Sequence, residues 1–204
     1  GIETFITANG AHAKHKDHVI HKIKSTNKTV KEMVQFASNE KNALTFYSET
    51  LTMNEVKHPT MLKALNETLS LEEYPPVSKN TFEEDVYLMC LFADEEMLLK
   101  YKQAFPRLNF KRWHPFIVNV LEEDICKSVA IQKVLEYFGF HKAEAIAFGD
   151  GENDIDMLEM VDIGIAMGNA SENLKSVADF ITKDSDKNGI AFALEHYRFI
   201  ESGE

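Results

Sequence analysis

Residues 150–156 read Asp-Gly-Glu-Asn-Asp-Ile-Asp, placing four carboxylates (Asp150, Glu152, Asp154 and Asp156) in seven positions. They follow directly on the apolar run AEAIAF. Like charges this close oppose one another's ionisation unless something positive sits among them. Gly149 and Gly151 allow a tight strand-to-helix turn, so Asp150 is expected to project from a strand tip. Asp154, four residues on, would reach the same space from the first helical turn. Hard carboxylate oxygens with room for water suit Mg²⁺. A calcium EF-hand loop needs Gly at its sixth position, where this stretch has Ile155, so that alternative is rejected. Asp150 and Asp154 together, flanked by two glycines and Asn153, are thus expected to serve metal chemistry. Glu152 and Asp156 are expected only to favour the dipole of the helix they begin.

Lys127 opens the run KSVAIQKVLEYFG, whose Ile131, Val134, Leu135 and Phe138 recur at helical spacing before a stop at Gly139. A helix start disfavours a cation on its own account. A lysine together with the helix amino end makes an anion site, phosphate above all. Farther on, GIAMGNASENLK offers Asn169 as a helix cap with Glu172 at the capping-box position. His12, His15, His18 and His21 recur every third residue, but on a hairpin that spacing does not gather them on one face. An exposed polar strand is expected there, with no zinc site. In RWHP, residues 112–115, Trp113 is expected to pack in the interior.

These residues need elements to position them. Residues 12–121 read as strands and helices interleaved: a polar hairpin around HKDH, helix KTVKEMVQFA, strand ALTFYS, helix TMLKALNETL, strand DVYLMCLFA, helix DEEMLLKYKQAF, then strands LNFKRW and FIVNVL. From residue 122 strands and helices alternate over short loops, which implies a parallel sheet with helices on its faces. Ligands of such sheets bind beyond the carboxyl ends of the strands. The expected division is 1–11 and 122–204 as one α/β core, with 12–121 inserted as an α+β unit.

Composition bounds the function. Of the 204 residues, 44% are hydrophobic and 27% charged, which is globular rather than disordered. A net charge of -11 argues against nucleic acid or an anionic membrane as partner. No apolar run approaches the roughly 18 residues of a membrane span. Two distant cysteines without a CxxC suggest a reducing cytoplasm. The chain opens on GIETFITANGA, with no initiator Met, and reads as cut from something longer.

ITANGA, CKSVAIQKVLEYFG, AIAFGDGENDIDML, GIAMGNASENLKSVADFIT and NGIAFAL, in this order, resemble the Cof-type haloacid dehalogenase (HAD)-like phosphatases. The likeness spans nearly all of residues 5–195 and is most specific over 127–190. It implies a HAD-like Rossmannoid core with an inserted α+β cap, and hydrolysis of small phosphorylated metabolites, with sugar phosphates favoured, through an aspartyl-phosphate. By the family pattern Asp150 ligates Mg²⁺, Lys127 neutralises the phosphoryl group, Asn153 contacts phosphate and Asp154 orients the lysine or a metal water. Asn9 and Gly10 fall where core passes into cap, near the substrate mouth. Two departures stand out. Cys126 replaces the small residue usual before the lysine, and the DxDGT motif carrying the nucleophile and general acid is absent. The resemblance therefore places the nucleophile in an upstream segment and expects these residues alone to be inactive. A phosphosugar mutase or a non-catalytic phosphate-binding remnant are the alternatives. The oligomeric state is left open.

Overall fold

A computed structural model describes residues 1–201 of the chain. The elements are β1 (Thr4–Thr7), β2 (His12–His15), β3 (His18–Lys22), α1 (Asn27–Asn39), β4 (Ala43–Tyr47), β5 (Leu51–Met53), α2 (Pro59–Leu69), β6 (Leu88–Phe92), α3 (Glu95–Ala104), β7 (Leu108–His114) and β8 (Ile117–Glu122). They continue with α4 (Lys127–Phe138), β9 (Ile146–Gly149), α5 (Ile155–Met160), β10 (Ile163–Ala166), α6 (Glu172–Val177), β11 (Phe180–Ile181) and α7 (Gly189–His196). The chain forms two compact units, one of residues 1–6, 13–21 and 126–204, the other of 7–12 and 22–125. None of the described helices is long and apolar enough to cross a membrane.

The second unit is built on an antiparallel sheet of order β5-β4-β6-β8-β7. Alternation along β4 sends Leu44 and Phe46 to one face, against Val30, Met33 and Ala37 of α1 and Leu98 and Tyr101 of α3. Ala43 goes to the other face, with Met61, Ala64 and Leu65 of α2. A central strand covered on both faces must be apolar throughout, which explains LMCLF in β6, where all five residues are buried. Side chains fix where the helices start. Thr26 accepts from the Thr29 amide ahead of α1, and Asp94 from that of Met97 ahead of α3. Burial in this sheet pushes the Cys90 thiol up to about 12.

Trp113 departs from expectation. It is 51% exposed, and its indole N–H donates to Asn119 Oδ1 at 2.8 Å. The pairing of β7 with β8 slips between Arg112 and His114, so Trp113 is an extra residue opposite no partner. A bulge of this kind breaks the two-residue alternation on which an interior placement depends.

Lys22 and Lys24 both clasp Asp85, and these hydrogen bonds hold its carboxyl down at about 2. The group is exposed, so its contribution is screened. Its folded pKa lies below the unfolded one, so the stabilisation is fully present above about pH 4 and is lost as pH falls toward 2. Asp85→Asn is expected to flatten this part of the acid limb of an unfolding curve, and added salt to shrink the difference. An unchanged acid limb would remove Asp85 from the account.

In the first unit, β9, β10 and β11 form a parallel sheet of order β11-β10-β9. Ala166 pairs with Gly149 and Ile163 with Ile146. The carboxyl ends of β9 and β10 therefore align, and the loops following them emerge at one end of the sheet. Beneath lies a small core of Ala147, Leu158, Ala166, Ala170 and Leu174. α4 stops at Gly139, whose φ of 75° is left-handed and open to glycine without strain. The hairpin of β2 and β3 turns at Lys16 and Asp17. His15 shares a hydrogen bond with Thr4 Oγ1 at 2.9 Å, and His18 stacks on Tyr137. Among the described residues no group of three or more His, Cys, Asp or Glu is arranged to hold a metal ion.

Candidate active site

The acidic stretch begins at the tip of β9. Gly149 is required there because a Cβ would come within 2.6 Å of Asp154 Cβ. Asp154 folds back against the strand end and is buried. Its Oδ2 accepts from the amides of both Asp150 and Gly151, each at 3.1 Å. Its Oδ1 accepts from Lys127 Nζ at 2.5 Å, a charge-assisted bond across to the first residue of α4. Both oxygens of Asp154 are thus engaged by the chain itself. It ties the lysine to the loop and keeps its negative charge matched.

The other three carboxylates divide cleanly. Glu152 accepts from Ser171 Oγ and, at 3.5 Å, from Asn173 Nδ2, both at the start of α6. Asp156 Oδ2 accepts from the backbone N–H of Ser128 at 2.7 Å, in the first turn of α4. Asp150 is exposed; its backbone N–H is held by Asp154, and its carboxylate has no hydrogen-bond or ion-pair partner among the described residues. The crowding that the sequence presents is relieved by geometry: Glu152 meets donors at the start of α6, Asp154 the Lys127 ammonium and two loop amides, and Asp156 the Ser128 amide of α4. Only Asp150 faces outward uncommitted.

Two sequence expectations are corrected here. Glu152 and Asp156 do more than favour their own helix dipole, since each binds the start of another helix. At the amino end of α4, beside Lys127, the Asp156 carboxylate holds the Ser128 N–H. Likewise, α6 is capped by Ser171, which accepts from the Leu174 amide, and not by Asn169. Asn169 Oδ1 instead accepts from the Ser185 amide at 3.0 Å, joining the loop after β10 to the one after β11. The cap lies two residues beyond the one the sequence reading names, so the turn after β10 is longer than that reading allows.

Asn153 sits within the loop, where its Oδ1 would lie 2.5 Å from a Cβ placed on Gly151. Lys127, Asp150, Asn153 and Asp154 are thus gathered by one loop and one helix start. Asn9 and Gly10 belong to the other unit, in a turn where Ala8, Asn9 and Gly10 have φ of 51°, 54° and 98°. For Mg²⁺ this chain offers Asp150 as the free hard ligand. One protein carboxylate with waters and substrate phosphate is a donor set that Mg²⁺ accepts.

A β-strand ending in this loop, the lysine held by its buried aspartate and the parallel sheet beneath define a hydrolase of one family. The chain belongs to the haloacid dehalogenase-like hydrolases, whose family model matches residues 1–194, and within them to the Cof-type phosphatases of subclass IIB. YkrA of Bacillus subtilis (strain 168) is 34% identical over 197 residues, covering 96% of this chain and 76% of that protein. The solved structure of the subclass IIB sugar phosphatase BT4131 matches with a TM-score of 0.87 at 30% identity, covering 98% of this chain and 77% of that one. BT1666 from Bacteroides thetaiotaomicron, described among phosphatases of the same superfamily, matches at 0.85 and 31% identity, over 97% of this chain and 75% of that one. The fold is therefore the mixed α/β fold of subclass IIB, with an antiparallel cap sheet and a parallel core sheet.

Proposed function

We propose that this chain is the greater part of a Mg²⁺-dependent phosphatase of small phosphorylated metabolites, sugar phosphates among them. The observation that carries the reading is the Asp154 carboxylate, bonded at once to Lys127 and to the two amides flanking Asp150. This arrangement brings a cation and a free carboxylate to one strand end. In this reading residues 12–121 serve as the cap, and residues 1–11 and 122–204 as the core. The name of BT4131 supports sugar phosphates as the substrate class.

Lys127 neutralises charge on the phosphoryl oxygens, Asp154 holds Lys127 in place, and the Asn153 amide contacts the phosphate. By the family pattern Asn9 and Gly10 mark the passage into the cap and count among the substrate-binding residues. Asp150 would hold the Mg²⁺, which when bound supplies further charge neutralisation. The nucleophile is an aspartate on an Asp-x-Asp strand outside these residues. Its carboxylate oxygen attacks phosphorus, the ester oxygen departs with a proton from the second aspartate of that strand, and water then cleaves the acyl phosphate. Phosphoryl transfer asks mainly for such positioning and neutralisation, and little covalent chemistry from the rest of the protein.

Asp150→Ala is expected to weaken Mg²⁺ binding about tenfold or more by calorimetry. In a polypeptide that also carries the Asp-x-Asp strand, it should lower turnover of a phosphate ester by about 10²-fold or more. Turnover that continues in excess chelator would exclude the metal from the mechanism.

A further inference from the structure

We infer that Asp156 is a positioning residue for Lys127, acting through the first turn of α4. This rests on the phosphatase reading only for what Lys127 does, and not for how it is held. The helix opens at Cys126, whose side chain makes no capping hydrogen bond to the helix amides. A helix start without a cap leaves its first amides unsatisfied and tends to fray. Here the missing acceptor arrives from another element: Asp156 in α5 takes the Ser128 N–H at 2.7 Å.

Two consecutive residues of α4 are thereby held by two carboxylates on either side of Ile155. Asp154 takes the Lys127 ammonium and Asp156 the Ser128 amide. One bond alone fixes the lysine's tip but leaves its backbone free to shift. The second fixes the backbone from which the side chain reaches. Burial differs between the parts: the Asp154 side chain is 7% exposed and that of Lys127 27%. The lysine is thus open enough to meet a ligand and depends on its anchorage for direction. A displacement of even about 1 Å in such a group costs heavily in phosphoryl chemistry.

The carboxylate has a second effect. It sits at the positive end of the α4 dipole and takes one of the amides that a phosphate there would otherwise meet. The sequence conceals this role, because Asp156 lies in the first turn of its own helix, where any acid has a ready local explanation.

The test compares Asp156→Ala with Asp156→Asn in the full chain, since the Asn carbonyl can still accept the Ser128 N–H. The first measurement is independent of phosphate: the rate at which acetic anhydride acylates Lys127, followed by peptide mass spectrometry with Lys133 as internal reference. Asp156→Ala should speed acylation of Lys127 about threefold or more, and Asp156→Asn should restore the parent rate. The second measurement is orthophosphate affinity by calorimetry. Asp156→Ala should weaken it about fivefold or more, Asp156→Asn should come within about twofold of the parent, and in a Lys127→Met background Asp156→Ala should have no further effect. Unchanged acylation of Lys127 in Asp156→Ala would overturn the inference. So would a phosphate loss of equal size with and without the lysine, whatever happens to melting temperature. A parent chain that ignores orthophosphate would count against the phosphatase reading alone, and the acylation rates would still decide the role of Asp156.

Discussion

Lys127→Met is expected to weaken orthophosphate binding about tenfold or more and to lower the stability of the chain by about 2–3 kcal/mol, whereas Lys133→Met should leave phosphate binding unchanged and cost under about 0.5 kcal/mol. The two lysines lie on one helix, and each is paired with a carboxylate. They differ in what surrounds the pair. Lys133 bonds Glu136 at 2.8 Å on an open surface, with the two side chains 48% and 50% exposed. Water and salt replace such a bond at little cost. Removing the Lys127 ammonium leaves the buried Asp154 carboxylate without its cation. The cost stays below the upper range for a broken buried pair because the Asp150 and Gly151 amides still hold the other oxygen. Urea unfolding of both variants gives the stability difference, and calorimetry gives the affinity. In a polypeptide able to turn over phosphate esters, the same substitution should reduce turnover by about 10²-fold or more. Equal behaviour of the two variants would mean that Lys127 is an ordinary surface lysine.

Much of this arrangement is legible in the amino-acid order. The alternation of short apolar runs with helical spacing after residue 122 gives the parallel strands. Gly149 and Gly151 mark the turn, and Gly139 marks the end of α4. Lys127 and the acidic loop are recognisable as partners because one α–β unit joins them. What the sequence withholds is which donor each acid meets. A carboxylate near a helix start satisfies local rules equally well by capping its own helix or a neighbour's, and this choice depends on packing between elements far apart in the chain. The partners of Glu152 and Asp156 were hidden for that reason. Asn169 satisfies the local rules for a cap in the same way, and packing gives it the Ser185 amide instead. Trp113 lies at a one-residue bulge of β7, which interrupts the alternation of the strand and which no residue type there announces.

A generic phosphate ester is expected to survive incubation with residues 1–204 alone, with turnover no higher than in buffer. The family's chemistry needs an aspartate free to attack phosphorus. The Asp-x-Asp of the acidic loop, Asp154 and Asp156, does not qualify, because the first is bonded to Lys127 and two amides and the second caps α4. The Asp150 carboxylate stands free, but no group of three or more potential metal ligands forms among the described residues. The packing around it suggests where the missing group enters. β9 is the last strand of its sheet, so one side of its backbone is unpaired within that sheet. On α4, Ile131, Val134 and Leu135 are only half-buried and Tyr137 and Phe138 are 46% and 41% exposed, with Phe140 just past its end 56% exposed. An open strand edge and incompletely covered apolar side chains each favour the addition of a further element. An amino-terminal segment carrying Asp-x-Asp-Gly-Thr, co-expressed with or fused to this chain, is therefore expected to pair with β9 and bring its first aspartate opposite Asp150. Turnover should then appear, and it should require both that aspartate and Asp150. The same addition should raise the melting temperature, since it covers a strand edge and an apolar helix face together. Robust turnover by residues 1–204 free of any such segment would show that these residues hold a nucleophile of their own. If that turnover survived Asp150→Ala as well, the metal and the acidic loop would lose their assigned parts in the chemistry.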